Sequence, residues 1–238
     1  VNPPDLDELK ALHEGTTLIT FFQIRDQIQH LKTYIDKKIT LLSMSHVPRT
    51  TLAQNMDALS SQSNIAGYKA VLIGASYIPK YMPLLMTAAG TIQPAKVLIL
   101  GAGVAGLSAI ATAKRLGAQV FAFDVRPVVK EQVESLGAKF IEVQTEDSDE
   151  GVGDGGYAKE TSDDYKKKQG ELIKNTIAKM DLVITTALIP ERPAPILISK
   201  EMVQGMKAGS AIMDLAAQNG GNCELTQQNE VITSNEVT

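Results

Sequence analysis

The residues whose types and spacing could do chemistry gather around one glycine-rich segment. GAGVAG at 101–106 follows a strand of four apolar residues, 97–100, and opens a helical pattern, and in that strand–turn–helix context the spacing suits a dinucleotide pyrophosphate. Gly101 allows the tight turn, Gly103 lets the backbone approach the anion, and Gly106 permits close packing of helix on strand. Val104 and Ala105 lie between them at the helix start, where free N–H groups face the anion. Asp124 supplies the second half of the pattern, eighteen residues past Gly106 at the end of the next strand, where a carboxylate accepts hydrogen bonds from an adenosine ribose. A carboxylate there also repels the extra phosphate of NADP, and charged hydrogen bonds of this kind are worth about 1.5–3 kcal/mol. NAD(H) is therefore the expected cofactor. Arg126, just past Val125, could be argued to rescue a 2′-phosphate, but side chains alternate along a strand and Pro127 bends the chain away.

Other chemistries find little support. His13, His30 and His46 lie far apart and match no metal-ligand spacing, so no metal is expected. Cys223 is the single cysteine and reads as a buried thiol. A net charge of −4 supplies no basic surface for nucleic acid. The longest uncharged run, 97–113, is too short and too rich in glycine for a membrane span.

The elements that must position these residues follow from periodicity. Residues 16–22 and 39–45 read as strands flanking a helix at 24–37, which places Ile24, Ile28, Leu31 and Ile35 at helical spacing. That is a βαβ unit with a parallel sheet. The stretch 63–86 reads as a helix reaching Ser76, broken by Pro79, with a second helix over 83–89 and a hinge over 90–94. Strands at 96–100, 119–124 and 139–143 alternate with helices at 103–116 and 128–136, giving two right-handed crossovers. An amphipathic helix over 160–180, with Tyr165, Leu172, Ile173 and Ile177 on one side, precedes buried strands at 181–187 and 210–216. The expected fold is α/β: two Rossmann-like parallel-sheet domains with a nucleotide cleft between them. Residues 1–93 form the first, N-terminally incomplete, with interdomain helices, and 94–238 form the NAD-binding Rossmann domain, C-terminally incomplete.

Around this frame, PRTTLAQNMDALSSQSNIAGY (48–68), MTAAGTIQPAKVLILGAGVAGLSAIATAKRLGA (86–118) and TTALIPERPAP (185–195) resemble the NAD(H)-binding component of proton-translocating transhydrogenases, which are related to alanine dehydrogenases. The resemblance implies that Arg49, Gln54 and Asp57 form a loop against the nicotinamide end of the cofactor, with Ser60 and Ser61 completing the pocket. It implies that the loop with Gly155, Gly156 and Tyr157 closes over bound nucleotide. It also implies that backbone groups around Thr186, Ala187 and Leu188 meet the cofactor ribose and nicotinamide. Asn222 follows the last strand beside Asp214, Gly220 and Gly221 as a further cofactor contact. The corresponding Asp in alanine dehydrogenases is catalytic, whereas a structural or cofactor-orienting role for Asp214 is at least as well founded. By the same resemblance the chain starts inside the first domain's sheet and stops before a closing strand and helix.

The implied activity is that of an NAD(P)+ transhydrogenase of the Si-specific/Re-specific, proton-translocating type. Hydride passes directly from NADH held here to NADP+ on a partner component, with no acid or base required. The implied partners are the NADP(H)-binding and membrane-spanning components and a second copy in a homodimer. The implied location is a soluble domain peripheral to a proton-translocating membrane. Two alternatives stand beside it: an alanine-dehydrogenase-like amino-acid dehydrogenase, and a non-catalytic NAD-binding module.

Overall fold

The computed structural model describes residues 3–23, 25–48, 50–143, 163–189 and 192–238. It divides into two compact units, 1–62 and 63–238.

In the first unit, helix α1 (Leu6–Ala11) starts at a reciprocal capping box. Asp5 Oδ1 accepts from the amides of Asp7 and Glu8, and the Asp5 amide donates to Glu8 Oε2, so the first turn's unpaired donors are satisfied. Strands β1 (Thr17–Thr20) and β2 (Thr40–Ser43) pair in parallel, Thr17 opposite Thr40, as the βαβ reading requires. The segment between them is not one helix. A 3-10 turn over Arg25–His30 leads into α2 (Leu31–Asp36). Among its described residues, His30 and Tyr34 are buried, while Ile28 and Ile35 of the expected stripe are 65% and 73% exposed. Tyr34 is held edge-on against Phe22, ring centroids 5.4 Å apart, in a small core with Leu9.

A 20-residue helix, α3 (Ala58–Tyr77), begins five residues earlier than periodicity suggests. Asp57 sets that start: its Oδ1 accepts from the Ser60 amide at 2.9 Å and its Oδ2 from the Ser60 hydroxyl at 2.6 Å, an N-cap arrangement. Beyond Pro79 the expected second helix is replaced by an antiparallel hairpin, β3 (Leu85–Thr87) with β4 (Gly90–Ile92). A helix of about seven residues is marginal in water. The chain turns at Ala88 and Ala89, Gly90 at φ +141° opens the return strand, and β-branched Thr91 and Ile92 suit it.

The second unit is built on five parallel strands in the order β7–β6–β5–β8–β9. They are β5 (Lys96–Leu100), β6 (Gln119–Phe123), β7 (Lys139–Ile141), β8 (Leu182–Thr185) and β9 (Ala211–Asp214). One face carries α3, α4 (Val104–Arg115) and α5 (Lys130–Ser135), the other α6 (Asp163–Ile177) and α7 (Lys200–Gln204). Alternation along the central strand sends Val97 and Ile99 into the first layer and Leu98 and Leu100 into the second. Ile173 and Ile177 of α6 are buried, as its amphipathic pattern predicts. Because Ala70 and Val71 of α3 lie in the first core layer, residues 63–93 belong with the sheet of this unit. The division therefore falls near 62, not at 93.

Candidate dinucleotide-binding site

The chain leaves β5 and crosses to β6 on one side, then returns to β8 on the other. The C-terminal ends of β5 and β8 thus form the point where strand order reverses, the place where open α/β sheets bind ligands. Both ends carry candidate residues. Gly101 turns at φ +102°, and a Cβ there would lie 2.5 Å from Thr186 Oγ1. Thr186 bridges the two strand ends, its amide donating to Leu100 O at 2.8 Å and its hydroxyl to Gly101 O at 3.1 Å.

Gly103 is the N-cap of α4, and a Cβ added to it would meet nothing within 4 Å. That open space stands before the helix N-terminus, where the first amides have no intrahelical acceptor and attract anions. Gly106 is required for the opposite reason: a Cβ there would sit 1.8 Å from Gly101 O. Ala105 is pinned from outside by Gly67 of α3, where a Cβ would come within 2.0 Å of the Ala105 carbonyl. Ser108 adds a hydroxyl donation to Asn64 O at 2.8 Å. Gly67 escaped the sequence reading because its partner lies in another helix. Val104 remains 37% exposed.

Asp124 stands just beyond β6 with its side chain 6% exposed. Its Oδ2 accepts from the Ala102 amide at 2.7 Å, which ties the second strand end to the glycine turn. Arg126 does not turn away as strand alternation suggested. The strand has ended at Phe123, so alternation no longer governs. The guanidinium folds back, with Nε on Oδ1 and Nη2 on Oδ2, each 2.9 Å, and the Arg126 amide also donates to Oδ1. The hydrogen bond to Asp124 lifts the guanidinium pKa above its ordinary value, against burial. Val125 lies half-buried between them.

Asn222 is fully buried and its amide is spent inside the protein. Nδ2 donates to the carbonyls of Ala187 and Pro195, both at 2.8 Å, and Oδ1 accepts from the Ala187 amide at 3.0 Å. Both backbone groups of Ala187 are therefore engaged, and the exposed rim residue beside it is Leu188. Asp214 anchors this loop. Its carboxylate accepts from the Thr185 and Thr226 hydroxyls and from the amides of Ala216, Asn222 and Cys223. Five donors on one carboxylate make it a structural knot. Burial, with Asp214 nearby, raises the Cys223 thiol pKa, so the thiol stays protonated.

In the first unit, Gln54 is exposed on a 3-10 turn over Thr51–Met56. Asp57 and Ser60 are locked together at the cap of α3, and Ser61 donates to Asp57 O from both amide and hydroxyl. Arg49, Gly155, Gly156 and Tyr157 lie outside the described residues. Among the described residues there is no group of three metal-capable side chains and no helix long and apolar enough to cross a membrane.

Comparison with known proteins agrees with this architecture. The chain is 49% identical to the first portion of the NAD(P) transhydrogenase alpha subunit of Rhodospirillum rubrum, over 97% of its own length and 60% of the relative's. It superposes on the crystal structure of transhydrogenase from Sinorhizobium meliloti with a TM-score of 0.84 and 42% identity, covering 98% of this chain and 62% of that one. A solved L-alanine dehydrogenase gives 0.76 at 25% identity, over 98% of this chain and 60% of that one. The chain thus spans about 60% of the length of these relatives. The family model for the alanine dehydrogenase/PNT N-terminal domain matches residues 1–66 and that for the C-terminal domain matches 70–238. With both of its domains matched in order, this chain belongs to the alanine dehydrogenase/PNT family.

Proposed function

We propose that this chain is the NAD(H)-binding component of a proton-translocating transhydrogenase, holding NADH for direct hydride transfer to NADP+ on a partner component. The observation that carries the reading is the Ala102–Asp124 hydrogen bond, which joins a glycine turn and a carboxylate at the switch point of a parallel sheet. These residues fit a dinucleotide: open space before Gly103 suits a pyrophosphate, and Asp124 suits a ribose diol. The identity to transhydrogenase alpha subunits, well above that to alanine dehydrogenases, favours this reaction class.

The bound nicotinamide supplies the hydride. The chain's own residues bind, orient and exclude water. The α4 N-terminus and Gly103 hold the pyrophosphate, Asp124 holds the adenosine ribose, and the Thr186–Leu188 rim flanks the nicotinamide half. Asn222 acts through Ala187, fixing that rim. Arg49, Gln54 and Asp57 position the nicotinamide, Ser60 and Ser61 support them, and the loop with Gly156 and Tyr157 closes over the nucleotide. The chain works as a domain peripheral to a proton-translocating membrane, with NADP(H)-binding and membrane-spanning partners. Association as a homodimer is supported by the apolar hairpin, whose Met86 and Ile92 are 72% and 48% exposed.

The test is reduction of a thio-NADP analogue by NADH when the full polypeptide is mixed with an NADP-binding transhydrogenase component. Transfer that needs both proteins is expected, and Gln54→Ala should slow it far more than it weakens NADH binding. NADH oxidation by pyruvate and ammonia, without such transfer, would assign the chain to the amino-acid dehydrogenases instead.

A further inference from the structure

The rim at the end of β8 is held at each of its first three residues. Thr185 closes the strand LVIT, buried along its whole length, where a valine would fill the same space without a hydroxyl to satisfy. Its hydroxyl donates to Asp214 Oδ1 at 2.9 Å. The Thr186 amide donates to Leu100 O at 2.8 Å. Ala187 exchanges both of its peptide groups with the Asn222 side chain, at 3.0 and 2.8 Å, and the Asn222 amide N–H donates in turn to Asp214 Oδ2 at 2.7 Å. The two oxygens of one carboxylate therefore grip the rim at both ends, directly at Thr185 and through Asn222 at Ala187. Thr226 also donates to Asp214 Oδ2, at 2.6 Å, but from the segment that leads away from the rim.

We infer that Thr185 is a positioning residue for hydride transfer: with Asn222 it clamps the 185–187 rim to Asp214, and so sets the orientation of the nicotinamide rather than the affinity for the nucleotide. The inference rests on the proposed function, in which this rim flanks the nicotinamide half of bound NADH. Affinity is spread over the pyrophosphate and ribose contacts at the other strand ends, which the clamp does not touch. Transfer depends instead on the placement of one carbon, and a misplacement of about 1 Å can cost about a hundredfold in rate. Releasing one end of the rim therefore acts on the rate before it acts on binding.

The experiment compares the full polypeptide with its Thr185→Val, Thr185→Ser and Thr226→Val variants, each mixed with an NADP-binding transhydrogenase component. NADH affinity is read by fluorescence titration and stability by thermal unfolding. Transfer to a thio-NADP analogue is followed by stopped flow, with NADH and with NADH deuterated at the transferring position of C4. Valine keeps the branched shape and removes the hydroxyl, whereas serine keeps the hydroxyl. The expected result is that Thr185→Val slows transfer by about tenfold while NADH affinity stays within about twofold. Its deuterium isotope effect should rise, because the chemical step becomes more rate-limiting. Thr185→Ser should restore the parental rate, and Thr226→Val should lower stability alone. Thr185→Ala is the second variant should Thr185→Val unfold. A folded Thr185→Val or Thr185→Ala protein with parental transfer overturns the inference. So does a loss shared equally by binding and transfer, or an equal slowing in Thr226→Val, while transfer by the parent leaves the proposed function intact. A parent that gives no transfer overturns the transhydrogenase reading and this inference with it.

Discussion

Each end of the parallel sheet holds a buried carboxylate with cationic partners, and the two are built for different purposes. At the N-terminal end, Asp181 precedes β8 and accepts from the Lys96 amide at 2.7 Å and from Lys80 and Lys207 Nζ, both at 2.9 Å. Its partners come from three segments far apart in the chain, so this carboxylate stitches the fold. At the C-terminal end, Asp124 takes three of its four donations from a residue two positions away. Those three contacts hold no distant elements together, and only the Ala102 amide links Asp124 to another strand end. The same chemistry thus ties remote segments together at Asp181, while at Asp124 most of it stays local, which suits the recognition role proposed for that carboxylate.

The largest expected effect is at Asp181. Asp181→Ala leaves the Lys96 amide and two lysines without their acceptor. Breaking a buried pair costs about 3–5 kcal/mol, and the lysine heads, 30% and 43% exposed, bring the expectation down to about 3 kcal/mol. Chemical denaturation measures it, and a loss no larger than that at an exposed ion pair would break the comparison. Next is Gly67→Ala, which forces a methyl group against the Ala105 carbonyl and should cost about 2 kcal/mol. It should also weaken NADH binding by displacing the first turn of α4, whereas Asp181→Ala should leave the affinity of the folded protein unchanged. Titration of both variants under folding conditions checks this contrast. The smallest effect is in acid. Burial alone would raise the Asp181 pKa, but hydrogen bonds from the Lys96 amide, Lys207 and Lys80 hold it below the ordinary value. A depressed folded pKa gives stability that is present at neutral pH and lost as pH falls from about 4 through the folded value. The unfolding free energy of the parent should therefore drop over that range by more than that of Asp181→Asn.

The sequence was most legible where local period and punctuation agree. β5, α4 and β6 fall within a residue or two of expectation because an apolar run, a glycine turn and a closing Gly117 all mark the same boundaries. The hairpin at 85–92 was not legible, since its alanines favour a helix while its pairing depends on Gly90. Nor was the true start of α3, which depends on one capping side chain, Asp57. In the candidate site, the glycine turn and the place of Asp124 just past β6 could be read from spacing alone. The return of Arg126 onto Asp124 could not, because it follows from the strand ending one residue earlier than expected. Asn222 was found as a candidate, yet its work is to hold Ala187, which only the folded loop reveals.

The most direct test of this division of labour is NADH affinity in Asp124→Ala, measured by fluorescence titration beside its unfolding free energy. The account predicts binding weakened by tenfold or more, at about 1.4 kcal/mol per tenfold, with a smaller loss of stability than in Asp181→Ala. Unchanged affinity, or a stability loss matching that of Asp181→Ala, would contradict it and make Asp124 a second structural carboxylate.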